Sequence, residues 1–132
     1  MSTNTHSFDS AVAHQYAPVA PSRRILDVVA SWPGVTAGVG GRGELAIRVG
    51  RREIGHLHGD GAAHFGFPRH MWISLYQQGR IERHPMFPDL VGPAAHRIQS
   101  ESDVQAVIEL FRLNYDRLTA FARTRAAGSG TL

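Results

Sequence analysis

Residues 53–67 read Glu53-Ile54-Gly55-His56-Leu57-His58-Gly59-Asp60-Gly61-Ala62-Ala63-His64-Phe65-Gly66-Phe67. Two runs of alternating character flank a Gly-Asp-Gly turn signal, the pattern of a β-hairpin. His56 and His58 are two apart on a strand and so share a face. A three-residue loop, Gly59 to Gly61, pairs Ala62 with His58 and sets His64 opposite His56, which gathers three imidazoles on one face. Leu57, Phe65 and Phe67 then point the other way, into a core. A two-residue Asp60-Gly61 turn would put His64 on Leu57's face instead, because a slip of one residue moves every side chain across the sheet. Ala62 and Gly66 share the histidine face and leave room above it, as the floor of a groove requires. Strict alternation puts Glu53 on the other face of the strand from His56, so its expected partner is a nearby arginine.

On the N-terminal side, Leu45, Ile47 and Val49 alternate with Glu44, Ala46 and Arg48 as a half-buried strand should, and Val35 to Val39 reads as a short strand before the turn Gly40-Gly41-Arg42-Gly43. Before these, Ser22 is the expected N-cap of a helix carrying Ile25, Leu26, Val29 and Trp32 at helical spacing until Pro33-Gly34. On the C-terminal side, Pro68 suits the start of a helix with Trp72, Leu75 and Tyr76 on one stripe and Gly79 at its end. Ile81 to His84 and Ala94 to Gln99 are weaker strands around the turn-rich segment Pro85 to Pro93. Ser102 and Gln105 form a capping-box pattern for a last helix with Val104, Val107, Ile108, Phe111, Tyr115 and Leu118 on one face. Trp72, Tyr76, Phe111 and Tyr115 read as core. The order predicts an α+β fold: an antiparallel β-meander sheet of five or six strands with three helices, mainly packed on one face.

A chain of 132 residues fits one domain. Residues 1–21 and 126–132 lack a sustained apolar period and are expected to be flexible tails around a single domain at 22–125. No run is apolar enough to cross a bilayer, and the first residues lack the order of a secretory signal, so a cytoplasmic protein without membrane contact is expected. The chain has no cysteine, which excludes disulfides, thiolate nucleophiles and Cys-based zinc or iron–sulfur sites. It also has no lysine, which excludes Schiff-base chemistry; all 14 basic residues are arginines, and the net charge is +3. These arginines are scattered rather than gathered into a stripe, so no nucleic-acid partner is expected.

Clustered imidazoles have three uses open to them. His56, His58 and His64 could hold a divalent metal, an H-x-H strand plus a third His giving facial ligation. They could act as general base and hydrogen-bond donors toward an acidic organic substrate, since imidazole titrates near neutral pH. They could also be ordinary surface residues of a half-exposed strand. Arg83-His84-Pro85 can add a fourth imidazole and an anion-binding guanidinium, or can be a polar strand end. Asp60 is a turn residue first and a candidate contact second. For His70 and His96, satisfied polar positions are the default.

The segments Arg52-Glu53-Ile54-Gly55-His56-Leu57-His58, His64 after a short gap, Arg83-His84-Pro85, and the helix through Leu110 and Tyr115 resemble the C-terminal half of fungal luciferases and the short bacterial proteins that share this luciferase-like domain. The likeness spans about residues 50–118. It implies a pocket for a flat phenolic or enolic small-molecule substrate, with molecular oxygen as co-substrate and no organic cofactor. His56, His58, His64 and His84 would be the catalytic set, with Arg83, Arg52 and Asp60 as candidate substrate contacts. The implied activity is that of a cofactor-independent oxygenase; the alternative is a non-catalytic domain that binds a small ligand or a divalent metal. A homodimer formed through a sheet edge is compatible with the sequence, although no residue argues for it.

Overall fold

The computed structural model describes the backbone of residues 19–130 and the side chains of residues 19–127. Its centre is the hairpin of β3 (Arg52–His58) and β4 (Ala62–Gly66), paired antiparallel with His56 opposite His64 and His58 opposite Ala62. The loop is therefore the three residues Gly59 to Gly61. Gly59 takes a φ of 55°, a left-handed conformation that a side chain would resist.

Around the hairpin the strands β1 (Val35–Val39), β2 (Leu45–Val49), β5 (Glu82–Arg83) and β6 (Pro93–Arg97) complete a six-stranded antiparallel sheet in the order β1-β2-β3-β4-β6-β5. The meander holds through β4. The chain then leaves the sheet for α2 (Arg69–Gln77), forms β5 at the far edge, and returns so that β6 lies between β4 and β5. Helix α1 (Pro21–Val29) packs on the long helix α3 (Glu101–Gly130), and α3 lies across β2, β3 and β6. Arg24 of α1 pairs with Glu101 at the start of α3.

One face of the sheet is closed. Ile47, Ile54, Leu57, Ala63, Phe65 and Ala94 meet Ile25, Val29, Val104, Val107, Leu110 and Phe111 from the helices, all nearly or wholly buried. Each large side chain there contributes roughly 1.5–3 kcal/mol through removal from water. Trp72 of α2 is buried beside this core and donates its indole N–H to Pro93 O at 2.8 Å, which ties α2 to β6.

Several expected boundaries move, each for a local reason. Helix α1 begins at Pro21 with Ala20 as N-cap, and Ser22 instead donates its backbone N–H and hydroxyl to Asp60 Oδ1, 2.9 and 2.6 Å away. The helix ends at Val29, so Trp32 reaches the core from a turn and meets Tyr115 with ring centroids 5.3 Å apart. The cap of α3 is Ser100, two residues before the expected Ser102: Ser100 Oγ accepts from Asp103 N–H at 3.2 Å, and Asp103 Oδ2 accepts from Gln99 N–H at 2.8 Å. This is the reciprocal logic of a capping box with Asp in place of Glu. The expected C-terminal tail, 126–132, overlaps α3, which continues to Gly130, and residues 131–132 lie outside the described residues. The expected N-terminal tail lies outside them as far as residue 18.

Helix α2 closes one residue before Gly79, with Gly79 N–H on Tyr76 O and Arg80 N–H on Leu75 O, the paired bonds of a Schellman end. The strands expected at 81–84 and 94–99 shorten to Glu82–Arg83 and Pro93–Arg97. Tyr76, read as core, is 41% exposed: it stacks on Trp72 at the surface, and Arg83 lies over both rings. Among the described residues no helix is long and apolar enough to cross a membrane.

Candidate functional site

The opposite sheet face is built from small residues and imidazoles. By the strand register it presents Ala46, His56, His58, Ala62, His64, Gly66 and Ala95. A Cβ added to Gly66 would meet nothing within 4 Å. Ala46 and Ala95 bring no side-chain bulk beyond a methyl. The result is a cleft of about 340 Å³ floored by His56, His58, His64 and His84 and walled by two loops. The β1–β2 turn supplies Gly41, Arg42 and Glu44, and the segment after β5 supplies Met86 and Phe87.

The four rings form one cluster. Ring centroids are 4.9 Å apart for His56–His58, 5.3 Å for His56–His64, 4.2 Å for His58–His64 and 4.2 Å for His64–His84. His84 arrives because β5 pairs Glu82 with Ala95, which gives residues 82 and 84 the parity of the histidine face. His64 and His84 are both buried, 8% and 7% exposed, and the pKa of His64 is lowered to about 4 by burial and by the neighbouring His84, His58 and His56. Burial first, then neighbouring imidazoles, also lowers His58 and His84. His64 is therefore neutral at physiological pH, and its buried Nδ1 has no hydrogen-bond partner among the described residues.

Two partners assign the protons on the other rings. His56 Nδ1 lies 3.0 Å from Glu53 Oε2, and an ionised carboxylate only accepts, so His56 donates from Nδ1 and in its neutral form has its lone pair on Nε2. The hydrogen bond to His56 is the largest cause holding Glu53 below the usual carboxylate range. His84 Nδ1 accepts from Met86 N–H at 3.1 Å, so in its neutral form the proton sits on Nε2. One ring thus offers a base and another a donor.

The Glu53 contact overturns the expectation that this residue faces away from His56. The pairing of β2 with β3 shifts between Ile47 and Arg48: Gly55 faces Ile47, Glu53 faces Arg48, and Ile54 is the extra residue of a β-bulge. Ile54 and Gly55 both turn to the core, which returns Glu53 to the histidine face. Asn114, fully buried on α3, donates its amide to Ile54 O at 3.1 Å and Gly66 O at 3.0 Å, satisfying the carbonyl of the bulged residue.

His56, His58, His64 and His84 thus come together as expected. The candidate substrate contacts do not join them. Asp60 is held by Ser22 at the hairpin tip and does not line this cleft. Arg83 donates to Pro88 O and lies over Trp72 and Tyr76. Arg52 lies by α3, beside Arg117, Leu118 and Phe121. His96 is satisfied at both nitrogens, by Arg80 O at 2.8 Å and Asp103 Oδ1 at 3.0 Å.

Any metal would sit on His56, His58 and His64, whose ligand atoms lie within 4.8 Å of one another. Ligands on a tetrahedral zinc are about 3.3 Å apart, so small ring rotations would be needed. The donor set is chemically suitable: neutral imidazoles, His56 Nε2 free, an unpartnered nitrogen on His64, and Glu53 as the outer partner that metal-bound histidines ordinarily have.

An open antiparallel sheet with helices on one face and an imidazole-floored cleft on the other defines a small α+β protein with a candidate small-molecule site. Residues 51–114 match the family model described as Luciferase domain, in agreement with the resemblance carried by the sequence. The match, just under half of the chain, takes in Glu53 and all four clustered histidines. No curated protein and no solved structure matches the chain.

Proposed function

We propose that the chain is a luciferase-type oxygenase that takes a small enolic or phenolic molecule, of the hydroxypyrone or hydroxylated aromatic kind, onto its histidine floor. The pairing of Glu53 with His56 is the observation that carries this reading. A carboxylate that fixes the imidazole tautomer leaves Nε2 of the neutral ring as the proton acceptor, the arrangement general-base catalysis uses. In this reading His56 Nε2 takes the enol proton. The enolate carbon then gives electrons to molecular oxygen and forms a C–O bond, so carbon is oxidised, oxygen is reduced, and both oxygen atoms stay on the substrate. The Nε2–H of His84 and the uncharged His58 and His64 surround the resulting peroxy anion, and no outside reductant is needed.

Oxygen consumption with a 3-hydroxy-2-pyrone is the test. Uptake by the purified chain is expected to survive treatment with a chelator and to fall about 10²–10⁴-fold in His56→Ala, the usual worth of a positioned base. Uptake unaffected by that substitution rules the reading out.

The trio of His56, His58 and His64 supports a second reading, a divalent metal as the centre of the same site. Metal analysis of protein made without a histidine tag separates the two. Stoichiometric zinc, iron or copper, with uptake abolished by the chelator, favours the second.

A further inference from the structure

A second cleft, about 440 Å³, opens from the first and shares His56, His84 and Phe87 with it. Its walls are apolar: Phe65, Phe67, Pro68, Phe87, Gly92 and Pro93. Arg117 of α3 also lines it. The guanidinium is held in place by Asn114, whose Oδ1 accepts from Nε at 3.2 Å and Nη2 at 3.0 Å. Asn114 is itself fixed through its amide to the backbone of β3 and β4, so the bulge that turns Glu53 toward His56 also orients Arg117.

Arg117 has no carboxylate within ion-pair distance among the described residues. Its Nη1 makes no hydrogen bond among them. Burial and the nearby Arg52 both disfavour its charged form, so a second positive charge lies close by and no anion offsets it. Glu53, the acidic group in the same cleft, is engaged by His56, with Arg48 close by. A guanidinium that is always charged, preorganised by one amide and set in an aromatic-walled cleft is suited to a planar carboxylate.

Building on the proposed function, we propose that the substrate is a flat conjugated acid, with its enol or phenol on the histidine floor and a carboxylate seated on Arg117. Phe87, exposed at the wall shared by both clefts, would cover the conjugated body between these ends, with Pro68 and Pro93 beside it. The shared residues of the two clefts make them one continuous binding surface, long enough in kind for a molecule with its acid group remote from its reacting carbon.

The test uses 6-hydroxy-2-naphthoic acid and its methyl ester, which differ at the far end by a charge and one methyl group, and follows binding to the full chain by naphthol fluorescence. The acid is expected to bind at least about 10-fold more tightly than the ester, the discrimination of one charge-assisted bidentate contact. Arg117→Gln should bring the acid down to the level of the ester, and Arg117→Lys should restore part of the preference. Added salt should weaken the acid and not the ester. Equal binding of acid and ester by the wild type overturns the proposal, as does a preference that persists in Arg117→Gln or a failure of both probes to bind. None of these outcomes touches oxygen uptake with a neutral 3-hydroxypyrone. Loss of that uptake with the acid preference intact would defeat the oxygenase reading alone.

Discussion

His64 and His96 sit on neighbouring strands one step out of register, His64 opposite Ala95 and His96 opposite Ala63, and so fall on opposite faces of the sheet. His96, on the helix-covered face, has both nitrogens occupied by a carbonyl and a carboxylate. His64, more deeply buried, has a nitrogen without a partner among the described residues and three other imidazoles around it. Buried polar groups are ordinarily paired, because leaving one unpaired costs about 1–3 kcal/mol. The closed face follows that rule and the open face departs from it. What this teaches is that the face carrying the imidazole cluster is the one not built to pair its buried polar groups internally.

The largest expected consequence is acid sensitivity. In the unfolded chain His64 takes up a proton near pH 6.5, in the folded chain only near 4, so between these values the unfolded state binds more protons and stability falls as pH drops. The loss should be on the order of 3 kcal/mol by pH 4. His58 and His84 are shifted in the same direction and add to it. Denaturant melts from pH 7 to 5 report mainly the histidines, because the carboxylates of the unfolded chain, with ordinary pKa values of about 4, take up most of their protons below that window. His64→Leu should flatten the slope; an equally steep slope in that variant would place the sensitivity elsewhere.

Two glycines sharpen the contrast in packing. A Cβ on Gly55 would come 2.6 Å from Phe111 Cε1 and 2.8 Å from Phe65 Cδ1, so Gly55→Ala should cost about 2–3 kcal/mol in denaturant stability. On the open face Gly66→Ala meets open space and should cost less than about 1 kcal/mol. Similar costs for both would mean that the histidine face is as tightly filled as the core.

A further prediction concerns the link between the faces. Asn114→Ala removes two buried hydrogen bonds, one to the bulged Ile54, and should cost about 2 kcal/mol. If the bulge depends on that bond, the same variant should weaken the Glu53–His56 pairing, visible as a changed Nδ1–H signal of His56 in NMR spectra. An unchanged signal would show that Ile54 holds its position by packing alone.

Much of this was legible in the residues themselves. Gly59-Asp60-Gly61 marked the hairpin, because turn chemistry and period-2 alternation act within about ten residues, but it left a three- or a two-residue loop open; the three-residue loop of the structure brings the trio of imidazoles together. The amphipathic pattern from Val104 to Leu118 gave the covering helix for the same local reason. Glu53 was misplaced because alternation assumes an unbroken strand, and nothing in Glu53-Ile54-Gly55 marks a bulge except Gly55, which the rings of Phe65 and Phe111 require to lack a side chain. Met86, Phe87 and Arg117 escaped notice because they reach the clefts from a turn-rich loop and a distant helix, through contacts no local pattern encodes. The fourth imidazole, His84, was a candidate only through its position after a weak strand, and β5 proved just long enough to set its parity.

The central claim is that His56, held by Glu53, is a working base on an otherwise uncharged imidazole floor. It is tested most directly without oxygen, by mixing the chain at pH 7 under argon with a 3-hydroxy-2-pyrone and recording the ultraviolet difference spectrum. The wild type and His96→Ala are expected to give the red-shifted band of the enolate, and His56→Ala to give none. An absent band in the wild type, or one of full strength in His56→Ala, would contradict the account.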